Sequence, residues 1–93
     1  MDEIKRLFVG KISAEETNVL DLTNGAVLKT ILICNNSETE QSIEINIDSS
    51  VFIFNVKPKE TLIIDKAIVC NILKLKASAE LDAHISGIQL GGA

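Results

Sequence analysis

The feature that most constrains this chain is the alternation of apolar and polar residues in short stretches between polar turns. It is clearest over residues 42–48, where Ile43, Ile45 and Ile47 alternate with polar neighbours. Successive residues of a β-strand point to opposite faces, so this pattern predicts a strand with one buried face. Similar stretches recur over residues 7–90, which leaves few residues with which to build a catalytic site.

Length and composition indicate one folded β domain. The 93 residues are 46% hydrophobic with 3% aromatic, and Ile, Leu and Val, which dominate the apolar set, favour packed strands. We expect a single domain over residues 1–93, with residues 1–6 and 91–93 as terminal extensions. A domain this small buries a modest share of its surface, so neighbouring subunits are expected to help stabilise it.

Turn signals every eight to twelve residues predict about seven or eight strands and no helix. Residues 13–16 fit a helix-start motif, but we interpret them as a turn because the following apolar residues lack a helical period. Asn24 and Gly25 are interpreted as a hairpin turn, since Asn-Gly tolerates positive φ. The prediction is an all-β, antiparallel, two-sheet β-sandwich of the immunoglobulin-like or jelly-roll kind.

Several strands carry more specific expectations. Residues 26–34 are apolar on both faces, which predicts a central strand that is covered on each side or meets another subunit. Phe52, Phe54 and Val56 share a face, and the two Phe side chains, which lie side by side, are expected at the heart of the core. Gly10 and Gly87 are interpreted as bulges. Lysines on the outward face of residues 73–77 are typical of strands that avoid edge-to-edge aggregation.

The residues that could carry chemistry form no recognisable site. His84 is interpreted as an outward or satisfied side chain, and Cys34 and Cys70 as buried small hydrophobic residues whose pairing stays open. Glu44, Asn46 and Asp48 offer oxygens to Ca²⁺, but a solvated outer face is the preferred interpretation. We therefore predict no catalytic residue, no metal ligand and no cofactor.

Charge and hydropathy restrict the partners. The net charge of −4 and the pI near 4.8 argue against nucleic acid or an anionic membrane, because such binding needs clustered Lys and Arg. No apolar stretch is long enough to span a bilayer, and the N-terminus lacks the pattern of a signal peptide. We expect a chain made in the cytoplasm.

The order of strands and turns resembles that of small β-sandwich virion proteins of tailed bacteriophages. The resemblance covers about residues 17–90, with the central strand and its Asn-rich exit at 31–37. It places the Pro-containing turn at 57–62 and the final hairpin at 73–78 with 85–88. It implies a non-enzymatic component of a phage particle: a head decoration, collar, tail or baseplate protein.

Residue patterns alone favour the same class, because surplus apolar surface suits assembly with copies of itself or with a larger scaffold. The expected partners are the chain itself as a homo-oligomer and other virion proteins, and the expected location is the virion. The alternative is a small ligand- or glycan-binding β-sandwich module, although three Phe and no Trp or Tyr provide few aromatic platforms for sugars. An enzyme is the third and least supported class.

Overall fold

The protein folds into an all-β structure, as the alternation predicts. The computed structural model describes residues 4–90, which contain seven strands and no helix, and hence no helix able to cross a membrane. All strand pairs are antiparallel. The strands are β1 Lys5–Ile12, β2 Thr17–Cys34, β3 Gln41–Ile47, β4 Ser50–Val56, β5 Thr61–Ile64, β6 Ile68–Ala77 and β7 Leu81–Gln89.

The strands form one hydrogen-bonded network in the order β1-β7-β2-β6-β3-β4, with β5 paired to β2. The network has two halves: β1, β7 and β5 form one with the second part of β2, and β6, β3 and β4 form the other with the first part of β2. The 18-residue β2 joins them. Its first part, residues 17–21, pairs with β6, whereas residues 31–34 lie between β7 and β5. The result is a small antiparallel sandwich in which β2 occupies the centre, as its apolar sequence indicates.

One apolar core lies between the two halves. Both contribute alternate residues that are at most 8% exposed, which confirms the period-two prediction for β3, where Ile43 and Ile45 are buried. Long branched side chains dominate this core, as expected for packed strands. The core residues are Ile12, Leu20, Ala26, Leu28, Ile31, Ile33, Ile43, Ile45, Val56, Cys70, Leu73, Leu75, Ala77, Leu81, Ala83 and Ile85.

The predicted hairpin at Asn24 and Gly25 is wrong, because both residues lie inside the continuous strand β2. Gly25 does have a positive φ of 82°, but it serves a wide bulge in which residues 22–25 face the single residue Asn71 of β6. The Asn71 amide donates hydrogen bonds to the carbonyls of Leu22 and Thr23, at 3.1 and 3.0 Å. A side chain therefore replaces the missing ladder bonds, and the strand continues.

The other glycines and the N-terminus also differ in detail from the expectation. Gly10 is covered by the Phe8 ring, while the bulge in β1 falls between Arg6 and Phe8. Gly87 pairs in register with Leu28, and the bulge lies in β2, between Leu28 and Thr30. A Cβ at Gly87 would collide with the carbonyl oxygen of Val27, so close backbone approach explains this glycine. Strand β1 already includes Lys5, expected to lie in an extension; residues 1–3 and 91–93 lie outside the described residues.

Candidate functional site

The most unusual surface is the edge formed by β4. Among residues 4–90, β4 pairs with β3 and with no other strand, through seven uninterrupted pairs from Gln41 with Val56 to Ile47 with Ser50. Its sequence, SVFIFNV, contains no charged residue. An edge strand presents unpaired backbone groups, and a long apolar edge is a template for another strand. We call this strand with its outward side chains the β4 edge.

The side chains of the β4 edge are exposed on both faces. Ile53 is 66% exposed and Val51 is 52% exposed on the outer face, while Phe52 on the inner face is 49% exposed. The expectation that Phe52 lies at the heart of the core is therefore wrong, and Phe54 is only half-buried. Val56 alone of the three is buried. The reason is position: β4 is the last strand of its half, so its inner face projects past the opposite half.

An apolar groove opens beside this edge, between β4 and β5. Its volume is about 450 Å³, and Asp48 and Ser50 supply the polar part of its wall. The groove continues the core outward, because Ile31 and Ile45 form its floor and are themselves buried. The other apolar side chains that line it are Ile47, Phe52, Phe54, Ile64 and Ile68.

The turn before β4 decides which backbone groups point away from β3. Asp48 and Ser49 both have positive φ, 48° and 77°, which is the two-residue turn typical of tight hairpins. Such a turn closes on a hydrogen-bonded pair, here Ile47 with Ser50, and hydrogen-bonded pairs then alternate along an antiparallel ladder. The N–H and C=O groups of residues 51, 53 and 55 therefore point outward from the sheet.

Asp48 fixes the start of β4 to the neighbouring strand β6. Its carboxylate accepts hydrogen bonds from the backbone N–H groups of Asn71 and Ile72, at 2.9 and 2.8 Å, and its own N–H donates to the Ile72 carbonyl at 2.9 Å. The hydrogen bonds from Ile72 and Asn71 to the charged form lower the pKa of Asp48. The hairpin is thus held in place by its turn.

Asn35 fixes the other end. Its side chain is fully buried, and its amide donates to the carbonyls of Val56 and Thr39, at 2.9 and 2.8 Å. Its backbone N–H donates to the Glu60 carbonyl at 2.9 Å, so the end of β4, the β2–β3 loop and the β4–β5 loop meet at one buried residue. Sequence reasoning missed both anchors, because a polar residue in a loop shows no partner until the fold is known.

A second exposed surface lies on the outer face of the other half. Val9, His84, Leu32 and Ile63 are neighbours across β1, β7, β2 and β5, and Val9 and Ile63 are 57% and 62% exposed. His84 is half-buried between apolar neighbours, which fits its interpretation as an outward side chain. This face gathers no nucleophile and base directly opposite each other, since Cys34 faces Asp82 rather than His84.

Polar groups close one end of that face. The Lys11 ammonium donates to a carboxylate oxygen of Asp82 at 2.7 Å, and the Asn36 amide donates to the other oxygen at 2.8 Å. The hydrogen bond from Lys11 lowers the pKa of Asp82, and the same contact raises the pKa of Lys11. Both side chains are largely exposed, so solvent screens this ion pair.

The two cysteines are free and far apart. Cys34 is half-buried and donates a weak hydrogen bond to Asn36 at 3.4 Å, whereas Cys70 is buried beside Ala26, eight residues earlier on β2. Eight residues of strand span about 26 Å, well beyond the roughly 7 Å limit for a disulfide. Burial raises the pKa of the Cys70 thiol. Burial is thus confirmed for Cys70 and is only partial for Cys34.

The oxygen-rich stripe of β3 faces positive charge. Glu44 lies opposite Lys76 of β6, and Asn46 lies opposite Lys74, while the Asp48 carboxylate is engaged with the β6 backbone. Within residues 4–90, no group of three or more His, Cys, Asp or Glu side chains is arranged to hold a metal ion. Each of the three residues thus has a neighbour or partner of its own: Glu44 has Lys76 across the ladder, Asn46 accepts from the Ser49 N–H, and Asp48 accepts from β6.

Comparison with known proteins gives no relative from which to argue: no family model, no curated protein and no solved structure matches this chain.

Proposed function

We propose that the protein is a non-enzymatic structural subunit that assembles with other copies of itself through the β4 edge and the apolar groove. The observation that carries this proposal is the β4 edge: seven residues of regular strand without a charge, with outward backbone groups and exposed Val51, Phe52 and Ile53. Strand addition at such an edge takes its affinity from backbone hydrogen bonds and its specificity from side-chain pockets.

The groove adds a specific feature to the edge. A strand added beside β4 brings its inward side chains next to Phe52 and Phe54, where buried floor residues are already apolar. Covering these rings removes apolar surface from water at about 25 cal/mol per Å². The edge and the groove thus act as one surface that is suited to a protein partner.

The more specific form of the proposal is a component of a tailed-phage particle, such as a head decoration, collar, tail or baseplate protein. Its support is the resemblance in strand and turn order over residues 17–90 and the small size of the domain, which suits repetition in a ring or shell. In this form the partners include other virion proteins, and the location is the virion after synthesis in the host cytoplasm.

The groove itself favours a second candidate, a ligand-binding module. Its volume of about 450 Å³ falls within the range of roughly 300–1,000 Å³ typical of small-molecule sites. Its lining has two aromatic rings and few polar groups, so the suitable ligand is apolar rather than a glycan. Such a ligand would cover Phe52 and Phe54 without changing the mass of the protein in solution, which separates the two candidates.

Sedimentation equilibrium of the full chain over a micromolar concentration series tests the proposal. We expect an average mass that rises above the 10.1 kDa of one chain. The substitution Ile53→Lys should weaken association on the order of 100-fold, because it places a charge on the edge strand that the added strand must cover. The matched control is Val9→Lys on the opposite edge, at a residue of similar exposure, which should associate like the wild type.

Two results would contradict the proposal. One is a wild-type chain that stays at 10.1 kDa throughout the series. The other is dissociation by Val9→Lys with no effect of Ile53→Lys.

A further inference from the structure

We propose that the strand that pairs with β4 is β4 of a second copy, antiparallel, around a two-fold axis that passes beside Ile53. This inference rests on the proposed function and goes beyond it, because it specifies the register of the interface. Three independent features of the β4 edge support it: its backbone, its side chains and the charges at its two ends.

The backbone selects the register. The outward N–H and C=O groups belong to residues 51, 53 and 55, as the turn at Asp48 and Ser49 dictates. Pairing Ile53 with Ile53 of the second copy places Val51 opposite Asn55 twice, so all three outward residues of each copy form hydrogen-bonded pairs. A slip of two residues leaves at least one of them unpaired, and a slip of one residue opposes groups that already bond to β3.

The side chains match in the same register. Phe52 of each copy lies opposite Phe54 of the second copy, on the groove side, in pairs without backbone hydrogen bonds. Such pairs bring Cα atoms to about 4.5 Å and their side chains into close contact. Aromatic cross-strand pairs are among the favourable ones. The two apolar grooves then join across the axis and cover each other's exposed rings.

The charges agree as well. Strand β4 contains no charged residue, so self-pairing opposes no like charges along the strand. Antiparallel pairing brings the turn that contains Asp48 next to the segment after Val56 of the second copy, where Lys57 lies. Opposite charges therefore meet at both ends of the interface. Lys59 of the same segment is already paired with Glu38 of its own chain, at 3.2 Å. Because each copy uses the same surface, the contact closes as a dimer and does not propagate.

Disulfide trapping tests the register. Single cysteines are introduced in a Cys34→Ser background, where the remaining Cys70 is buried, and the chains are oxidised with diamide at a concentration at which the wild type associates. Ile53→Cys should yield a covalent dimer as the main product, because a hydrogen-bonded pair holds Cα atoms about 5.5 Å apart, within disulfide range. Val51→Cys is the matched control, since its two copies would lie about 13 Å apart.

The outcomes separate this inference from the proposed function. An associating chain in which Ile53→Cys crosslinks and Val51→Cys does not supports the register. Crosslinking through Val51→Cys instead overturns the register, while assembly through the β4 edge stands. Crosslinking through Val9→Cys on β1, with none through Ile53→Cys, overturns both the register and the proposed function. Absence of any association in the sedimentation series overturns both.

Discussion

The two strands at the ends of the strand order, β1 and β4, are built in opposite ways. Among residues 4–90, β5 is a further edge strand, but it spans only four residues. Strand β1 has Lys5, Arg6 and Lys11 within eight residues and a bulge in its register. Strand β4 has no charge and no bulge along seven pairs. Charges and bulges on an edge are the usual means by which β proteins avoid pairing with other chains.

Edge protection in this molecule therefore differs between β1 and β4. Both edges border the same core, and both expose apolar side chains, Val9 on β1 and Ile53 on β4. Of the two long edges, β1 alone is protected by charges and a bulge, whereas β5 is protected by its short length. The contrast between the two long edges supports the proposal that the protein assembles through β4.

Removing the positive charges of β1 should have the largest effect on the size of the assembled species. The triple substitution of Lys5, Arg6 and Lys11 by Thr gives each molecule two open edges. Two different edges that can each pair with another molecule permit assemblies that do not close. We therefore expect large species in static light scattering in place of a closed dimer.

The control for that experiment removes the same charge elsewhere. Replacing Lys66, Lys74 and Lys76 by Thr also takes the net charge from −4 to −7, since −4 − 3 = −7, but leaves β1 intact. This variant should keep the wild-type mass. An equal increase in the mass of both variants would show that net charge, rather than the charges on β1 in particular, limits assembly.

A smaller effect compares the acid sensitivity of the two edges. Asp48 beside β4 and Asp82 beside β1 both have a lowered pKa. A lowered folded-state pKa contributes stability that is present above the unfolded-state value, ordinarily 3.8, and is lost as the pH falls through the folded value. Asp48 bonds to backbone N–H groups, whereas Asp82 pairs with an exposed lysine that salt screens.

Urea unfolding of an Ile53→Lys background at about pH 7 and about pH 3 measures this difference. Asp48→Asn keeps a residue that tolerates positive φ, yet it should lower the midpoint at neutral pH and flatten the acid loss. Asp82→Asn should lower the urea midpoint at neutral pH by a smaller amount. High salt should abolish the effect of Asp82→Asn but not that of Asp48→Asn. At high salt, a larger fall in the urea midpoint for Asp82→Asn than for Asp48→Asn would contradict this ranking.

Much of the fold is predictable because it depends on local alternation. Ile43 and Ile45 of β3, and Leu73 and Leu75 of β6, are buried as their spacing indicates. The failure at Asn24 and Gly25 shows the limit of local reasoning: positive φ is a local property, but whether it serves a hairpin or a bulge depends on Asn71, which is distant in sequence.

The candidate site is less predictable for the same reason. The sequence identifies the shared face of Phe52 and Phe54, but their exposure depends on β4 being the last strand of its half, which is decided by pairing between β3 and β6. A sequence signal for the edge does exist. Strand β4 is a seven-residue strand with neither a charge nor a proline, and such segments are the ones that other strands join.

Amide hydrogen exchange, measured by NMR at low and high protein concentration, tests whether β4 is the edge that pairs with another chain. If it is, the amides of Val51, Ile53 and Asn55 become protected as the concentration rises. The amides of Phe52 and Phe54, which already bond to β3, should be protected at both concentrations. Unchanged exchange at Val51, Ile53 and Asn55, together with new protection along β1, would contradict the claim that β4 is the open edge of this protein.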